Sequence, residues 1–177
     1  MSNQWLIDAS HSAAHFSVKH MMITNVRGEF QKLEGTVTFD PESPEATQIE
    51  ASIDVASINT RDEKRDGHLK SGDFLDADKF PKISFKSKTV KAKGKEHLTV
   101  TGDLTIHGVS KEVVLDVEGP SPASTDPFGN VRIGATATTK IKRDEFGMVW
   151  NAALEAGGVL VGNDVNITID ISLIKQK

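Results

Sequence analysis

The chain contains no cysteine. That excludes a disulfide framework, a thiol nucleophile and every zinc site built on thiolates, while leaving the compartment open. It also lacks long apolar runs, and none approaches the roughly 18 residues that mark a spanning helix. The polar start Met1-Ser2-Asn3-Gln4 leads straight into Trp5, which reads as strand and leaves no room for an apolar export segment. As written, the chain is therefore expected to be cytoplasmic, or periplasmic if a leader has been removed. With a net charge of −4 and no Arg/Lys cluster, it gives no electrostatic reason to expect nucleic acid. There is no Gly-x-Ser-x-Gly elbow, no phosphate-binding glycine loop and no strand–helix alternation to present either.

What is present is alternation with a period of two. Ile49, Ala51, Ile53 and Val55 share one face of a segment whose other face is Gln48, Glu50, Ser52 and Asp54. Leu98, Val100, Gly102, Leu104 and Ile106 alternate with polar residues, as do Val165, Ile167, Ile169, Ile171 and Leu173. Similar patterns over 14–22, 29–39, 83–90, 112–119 and 131–143 complete a set of eight strands, each buried on one face and wet on the other. Short turn-like linkers, such as Lys93-Gly94-Lys95 and Asp126-Pro127-Phe128-Gly129-Asn130, favour antiparallel pairing. Gly108 to Lys111 is expected to close a hairpin between Ile106 and Val113. One segment breaks the rhythm: residues 61–79 are rich in charges of both signs, and 61–71 is expected to form a short helix with Leu69 as its inward anchor. No repeat, linker or composition shift divides residues 1–177, so one domain is expected. The fold class is all-β: an eight-stranded antiparallel barrel with a short helical insertion.

An eight-stranded barrel is filled by its own side chains or holds one small ligand. Gly35, Ala51, Gly102, Ala135 and Ala137 fall on apolar faces. They either leave volume open or seat a neighbouring ring, and the sequence leaves both readings standing. Ten-residue strands tilted by roughly 40° make a wall about 25 Å high, which suits an elongated ligand. Alternation assigns the wall to Phe16, Val18, Phe30, Val37, Phe39, Ile49, Ile53, Phe85, Val100 and Leu104.

Polar candidates are few. His11, His15 and His20 are close in sequence, but on a strand His20 faces away from the other two, so no metal site is expected. Arg65-Asp66-Gly67-His68-Leu69 is the most specific polar constellation. Arg65 and His68 near a barrel mouth would supply donors to an anionic or carbonyl-bearing head group, or Arg65 and Asp66 would brace the helix against the rim. Asp66 and His68 would also be the acid–base pair of a rival, enzymatic reading. A third reading has a filled barrel that works through an outer patch.

Several motifs in order along the chain carry a family resemblance. They are Trp5-x-Ile7-Asp8-x-x-His11-Ser12, Phe16-x-Val18-x-His20, Arg27-Gly28-x-Phe30, Ser57-Ile58-x-Thr60, Arg65-Asp66-x-His68-Leu69-x-Ser71, Asp73-Phe74-x-Asp76, Phe80-Pro81-x-Ile83-x-Phe85, Gly102-Asp103-Leu104-Thr105-Ile106-x-Gly108-Val109 and Arg143-x-x-Phe146-Gly147-Met148. Together they resemble the YceI-like, polyisoprenoid-binding family across essentially the whole chain, with Leu75 standing where the family often has a second Phe. The resemblance implies a lipocalin-like barrel whose apolar pore holds an isoprenoid chain, such as a polyprenyl phosphate or the tail of a respiratory quinone. The expectation is a non-enzymatic carrier or sequestering protein with no metal or cofactor. Ser12, His20, Arg65 and His68 are its candidate mouth residues, and an open barrel edge would let two copies pair as a homodimer.

Overall fold

Alternating burial shapes the computed structural model, which describes residues 3–155 and 157–177. The strands are β1 (Gln4–Ile7), β2 (Ala13–His20), β3 (Thr24–Phe30), β4 (Leu33–Thr38), β5 (Gln48–Asp54) and β6 (Ile58–Asn59). After helix α1 (Glu63–Lys70) come β7 (Lys82–Ala92), β8 (His97–Ile106), β9 (Val109–Glu118), β10 (Ser124–Thr125), β11 (Val131–Lys142) and β12 (Val161–Lys175). Following the hydrogen-bonded neighbours β11–β9–β8–β7–β5–β4–β1–β12 and back to β11 closes an antiparallel ring of eight strands. Each of the eight expected segments contains strand, although 29–39 breaks between β3 and β4, and a second break, ahead of the 14–22 segment, separates β1 from β2.

Both interruptions are stitched by serine. β12 is long enough to pair with β1 through Leu173–Lys175 and with β2 through Val161–Asp170. Between β1 and β2, a short 3-10 turn at Ala9–His11 lifts the chain off the ladder, with Asp8 as its cap. Ser12 bridges the gap by accepting from the Ser172 N–H at 2.9 Å and donating to the Ser172 carbonyl at 3.4 Å. Its hydroxyl substitutes for the missing ladder bonds, and Ser12 is absent from the cavity lining described below. The structure thus places Ser12, one of the candidate mouth residues, in the ladder beside Ser172. Between β3 and β4, Ser57 plays the equivalent part, accepting from Lys32 N–H at 3.1 Å.

Two other boundaries differ from expectation. The β8–β9 hairpin turns on only two residues, His107 (φ 54°) and Gly108 (φ 71°), so Val109 already pairs with Ile106. Positive φ at both central residues is what a tight primed turn requires. Helix α1 is shorter than 61–71 because Arg61 takes a left-handed conformation (φ 66°). The Asp62 carboxylate then caps the helix by accepting from Arg65 N–H at 3.1 Å. That hydrogen bond, the chief cause, holds the Asp62 carboxyl below its ordinary value.

The outer face carries cross-strand pairs such as Lys82–Glu34, Lys86–Glu50 and Lys88 with Asp103 and Glu112. These are exposed and worth little individually. Their consequence is orientation, since they keep the other parity of each strand facing inward. On the far side of β2, β3 meets β6 only at Glu29 and Phe30, so Thr24–Gly28 has no strand partner on that edge among the described residues.

Candidate ligand cavity and its mouth

The inward parity does not fill the ring. A cavity of about 370 Å³, measured as the space open to the centre of a water molecule, lies inside the barrel. That falls within the range of about 300–1,000 Å³ typical of small-molecule sites. All ten residues assigned to the wall line it: Phe16, Val18, Phe30, Val37, Phe39, Ile49, Ile53, Phe85, Val100 and Leu104. On β8 the lining runs from Leu98 to Ile106, and on β12 from Val161 to Leu173. At about 3.3 Å per residue and a tilt near 40°, the β8 stretch alone spans roughly 20 Å along the axis. The hollow is elongated.

The small inward residues divide between their two readings. Ala51, Ala135 and Ala137 line the cavity and leave it open. Gly102 instead seats the Phe85 ring, and a Cβ there would lie 2.6 Å from its Cζ. Gly35 sits against Ala51 and the backbone of Glu50. Glycines seat neighbours, and alanines leave room.

Arg65, His68, Arg143 and Trp150 gather at one end of the hollow, around α1 and residues 143–162. Arg65 reaches back from α1 to Thr60, donating from Nε to the hydroxyl at 2.9 Å and from Nη2 to the carbonyl at 2.7 Å. Asp66 accepts from the Thr60 N–H at 2.9 Å and from its hydroxyl at 2.5 Å. The expected brace exists, but buried Thr60 joins the two side chains in place of an Arg–Asp pair. Asp66 and His68 are not bonded to each other: His68 Nε2 meets Asp73 at 2.8 Å. The geometry therefore does not assemble the acid–base pair of the rival reading. Arg65, His68 and His20 line the cavity, as does Leu69, the helix anchor.

Behind them lies a residue to which sequence reasoning gave no role. Arg143 is 5% exposed and lines the cavity. It donates from Nε to Gly162 O at 2.8 Å, from Nη1 to Met148 O at 2.8 Å and Trp150 O at 2.9 Å, and from Nη2 to Val161 O at 3.1 Å. Its carbon Cζ stands 5.9 Å from the centre of the Phe74 ring, close enough for a cation–π contact. Burial pulls the guanidinium down from its ordinary value, and the nearby charge of Asp144 opposes this. A signal for it was present: Arg143 continues the inward parity of Ile133, Ala135, Ala137 and Ile141. Trp150, His68 and Phe74 complete this end, with His68–Trp150 ring centres 4.7 Å apart and His68–Phe74 centres 5.0 Å apart. Trp150 lies outside any strand, where alternation carries no information about facing.

Charge around the hollow is one-sided. Its described lining includes Lys19, Arg65 and Arg143 but no Asp or Glu, in a chain that has 25 acidic residues. Among the described residues, no carboxylate forms an ion pair with Arg65 or Arg143. Three other histidines have carboxylate neighbours in separate places, His11 with Asp8, His15 with Glu29 and Asp170, and His97 with Asp116, while His107 meets the Phe146 carbonyl. Among the described residues, no group of three or more such side chains is placed to hold a metal ion.

Fold and site together define a class: a closed antiparallel barrel around an elongated apolar hollow, with cationic and aromatic groups at one end. The chain belongs to the YceI-like family, whose domain model matches residues 5–173. It is 39% identical over 158 residues to the UPF0312 protein SA2479 of Staphylococcus aureus (strain N315), covering 89% of this chain and 90% of that one. The crystal structure of the Campylobacter jejuni YceI protein has 33% identity and a TM-score of 0.76, with 90% of each chain covered. A polyisoprenoid binding domain from Saccharophagus degradans, implicated in plant cell wall breakdown, shares the fold at a TM-score of 0.72 and 16% identity, covering 97% of this chain and 98% of that one.

Proposed function

We propose that this protein binds a long-chain isoprenoid lipid in the barrel hollow and carries or sequesters it without covalent chemistry. The carrying observation is the elongated apolar cavity, bounded by ten inward side chains and left open by alanines. Magnitudes support a long ligand over a short one. Each buried methylene contributes about 0.8 kcal/mol, against an association cost of about 4–15 kcal/mol. Roughly ten carbons break even, and thirty or more bind tightly. The polyisoprenoid-binding description of the Saccharophagus degradans domain supports the same ligand class.

The head group belongs at the α1 end. A lining with cations and no carboxylate favours a phosphate, as in a polyprenyl phosphate, or the carbonyls of an isoprenoid quinone. Arg65 and His68 are the proposed donors, with Arg143 supplying charge from behind. The enzymatic rival lacks geometric support, since Asp66 is engaged by Thr60 and His68 by Asp73. Pairing of two copies through the free edge of β3 is part of the proposal, to be read by sedimentation.

The test is to purify the protein from cells, extract it with organic solvent and analyse the extract by mass spectrometry. A prenyl lipid at about one per chain supports the reading; repeatedly empty extracts count against it.

A further inference from the structure

Among the described residues, the exposed large apolar side chains are unevenly placed. Leu6, Val114 and Phe128 stand alone, while the other five cluster in two adjoining loops. Met21, Met22 and Ile23, at 44%, 62% and 74% exposure, form the tip between β2 and β3. Val149 and Val159, at 71% and 40%, lie on the segment that leads into β12. Scattered apolar residues need no explanation, but a contiguous cluster marks an interaction surface.

The two loops are fastened to each other. Met21 N–H donates to Leu160 O at 2.7 Å, and the Met22 sulfur lies against Gly158. Val161 pairs with His20, and Arg143 binds the carbonyls on both sides of Val149 as well as those of Val161 and Gly162. The cluster is therefore held as one rim. It is also continuous with the hollow: His20, Met148, Trp150, Leu160 and Val161 all line the cavity and adjoin the exposed residues in sequence. Trp150 suits such a place, having an amphipathic ring of the kind enriched at lipid–water interfaces.

We infer that this rim is a docking surface for a lipid bilayer, and that the cavity loads or unloads with its mouth pressed against the membrane. This rests on reading the cavity as a lipid site. A long prenyl chain has negligible solubility in water, so it must be collected from a lipid phase, and an apolar rim around the doorway spares the chain a passage through water. No helix among the described residues is long and apolar enough to cross a membrane, and the inferred contact is peripheral, made by side chains inserted from two loops.

The experiment floats the full chain with phosphatidylcholine vesicles and compares it with an Ile23→Asp, Val149→Asp double variant. Neither residue lines the cavity and both are largely exposed, so folding is not at issue. Uptake of a decaprenyl lipid from detergent micelles is measured in parallel. The expected result is that the double variant loses vesicle partitioning by at least about tenfold, on the scale of burying isoleucine and valine side chains, while micellar uptake is unchanged. Uptake from micelles with no partitioning of the natural chain overturns the docking surface alone, as does equal partitioning of both proteins. A rim that instead holds two copies together, seen as a dimer that the variant dissociates without any vesicle binding, also overturns it. Absence of micellar uptake by the natural chain overturns the lipid-site reading beneath it.

Discussion

Arg143 holds Trp150 by its main chain, donating from Nη1 to the tryptophan carbonyl at 2.9 Å, while the indole ring meets His68 edge-on. A buried cation thus fixes the segment that carries one wall of the mouth. In Arg143→Met, the carbonyls of Met148, Trp150 and Gly162 lose this donor together, while the Val161 carbonyl keeps the Asn151 amide at 2.8 Å. Unpaired buried acceptors cost about 1–3 kcal/mol each, with water relieving some of it at the mouth. A loss of about 3–5 kcal/mol in urea unfolding is expected. Arg143→Lys recovers only part, because an ammonium on a flexible stem cannot reproduce the planar fork.

The hollow makes an unusual prediction about size. In a packed core, added methylenes typically cost about 1–3 kcal/mol. Ala137→Leu and Ala135→Leu, which grow into the cavity, are expected to cost less than about 1 kcal/mol and to reduce lipid uptake. Gly102→Ala is the contrasting case. Its Cβ would meet Lys86 O at 2.5 Å as well as the Phe85 ring, so a full overpacking penalty of about 1–3 kcal/mol is expected. Urea midpoints for the three variants separate vacancy from close packing.

Thr60 ties α1 to the barrel through both Arg65 and Asp66. Thr60→Val removes the hydroxyl and keeps the shape. A stability loss of about 1–3 kcal/mol is expected, with faster release of bound lipid as the helix loosens. Stopped-flow transfer to acceptor vesicles measures the release.

Acid sensitivity is expected from the cluster around Arg132, which contacts Asp8 at 2.7 Å and Asp126 at 2.6 Å. The guanidinium is the first cause holding both carboxyls well below the ordinary range, and they in turn raise its own value. A carboxyl lowered on folding contributes stability that is complete above its unfolded value, near 3.9, and disappears as pH falls through the folded value. Arg132→Gln should therefore lower the urea midpoint at pH 7, and the gap from the natural chain should narrow by pH 2. A gap that stays constant or widens in acid contradicts this assignment.

Alternation made the wall legible. Phe85, Val100 and Leu104 could be assigned inward because the strand period is two and one face is wet. The mouth was less legible because it is built by loops. Nothing in local sequence says that Trp150 returns to His68, or that Ser12 serves a ladder 160 residues away in the chain. Arg143 is legible in principle, because a charge on an apolar parity is itself a signal. The turn at His107-Gly108 is hard to place from sequence because a histidine with positive φ is uncommon, and a glycine alone does not fix which residue precedes it in the turn.

The most direct test of the hollow's purpose is native mass spectrometry of the protein mixed with a decaprenyl lipid, beside the Ala135→Phe, Ala137→Phe double variant. One lipid per natural chain, absent from a folded variant whose lumen is plugged by two rings, is the expected result. Equal lipid mass on both proteins, or none on the natural chain, would show that the lumen is not where an isoprenoid resides.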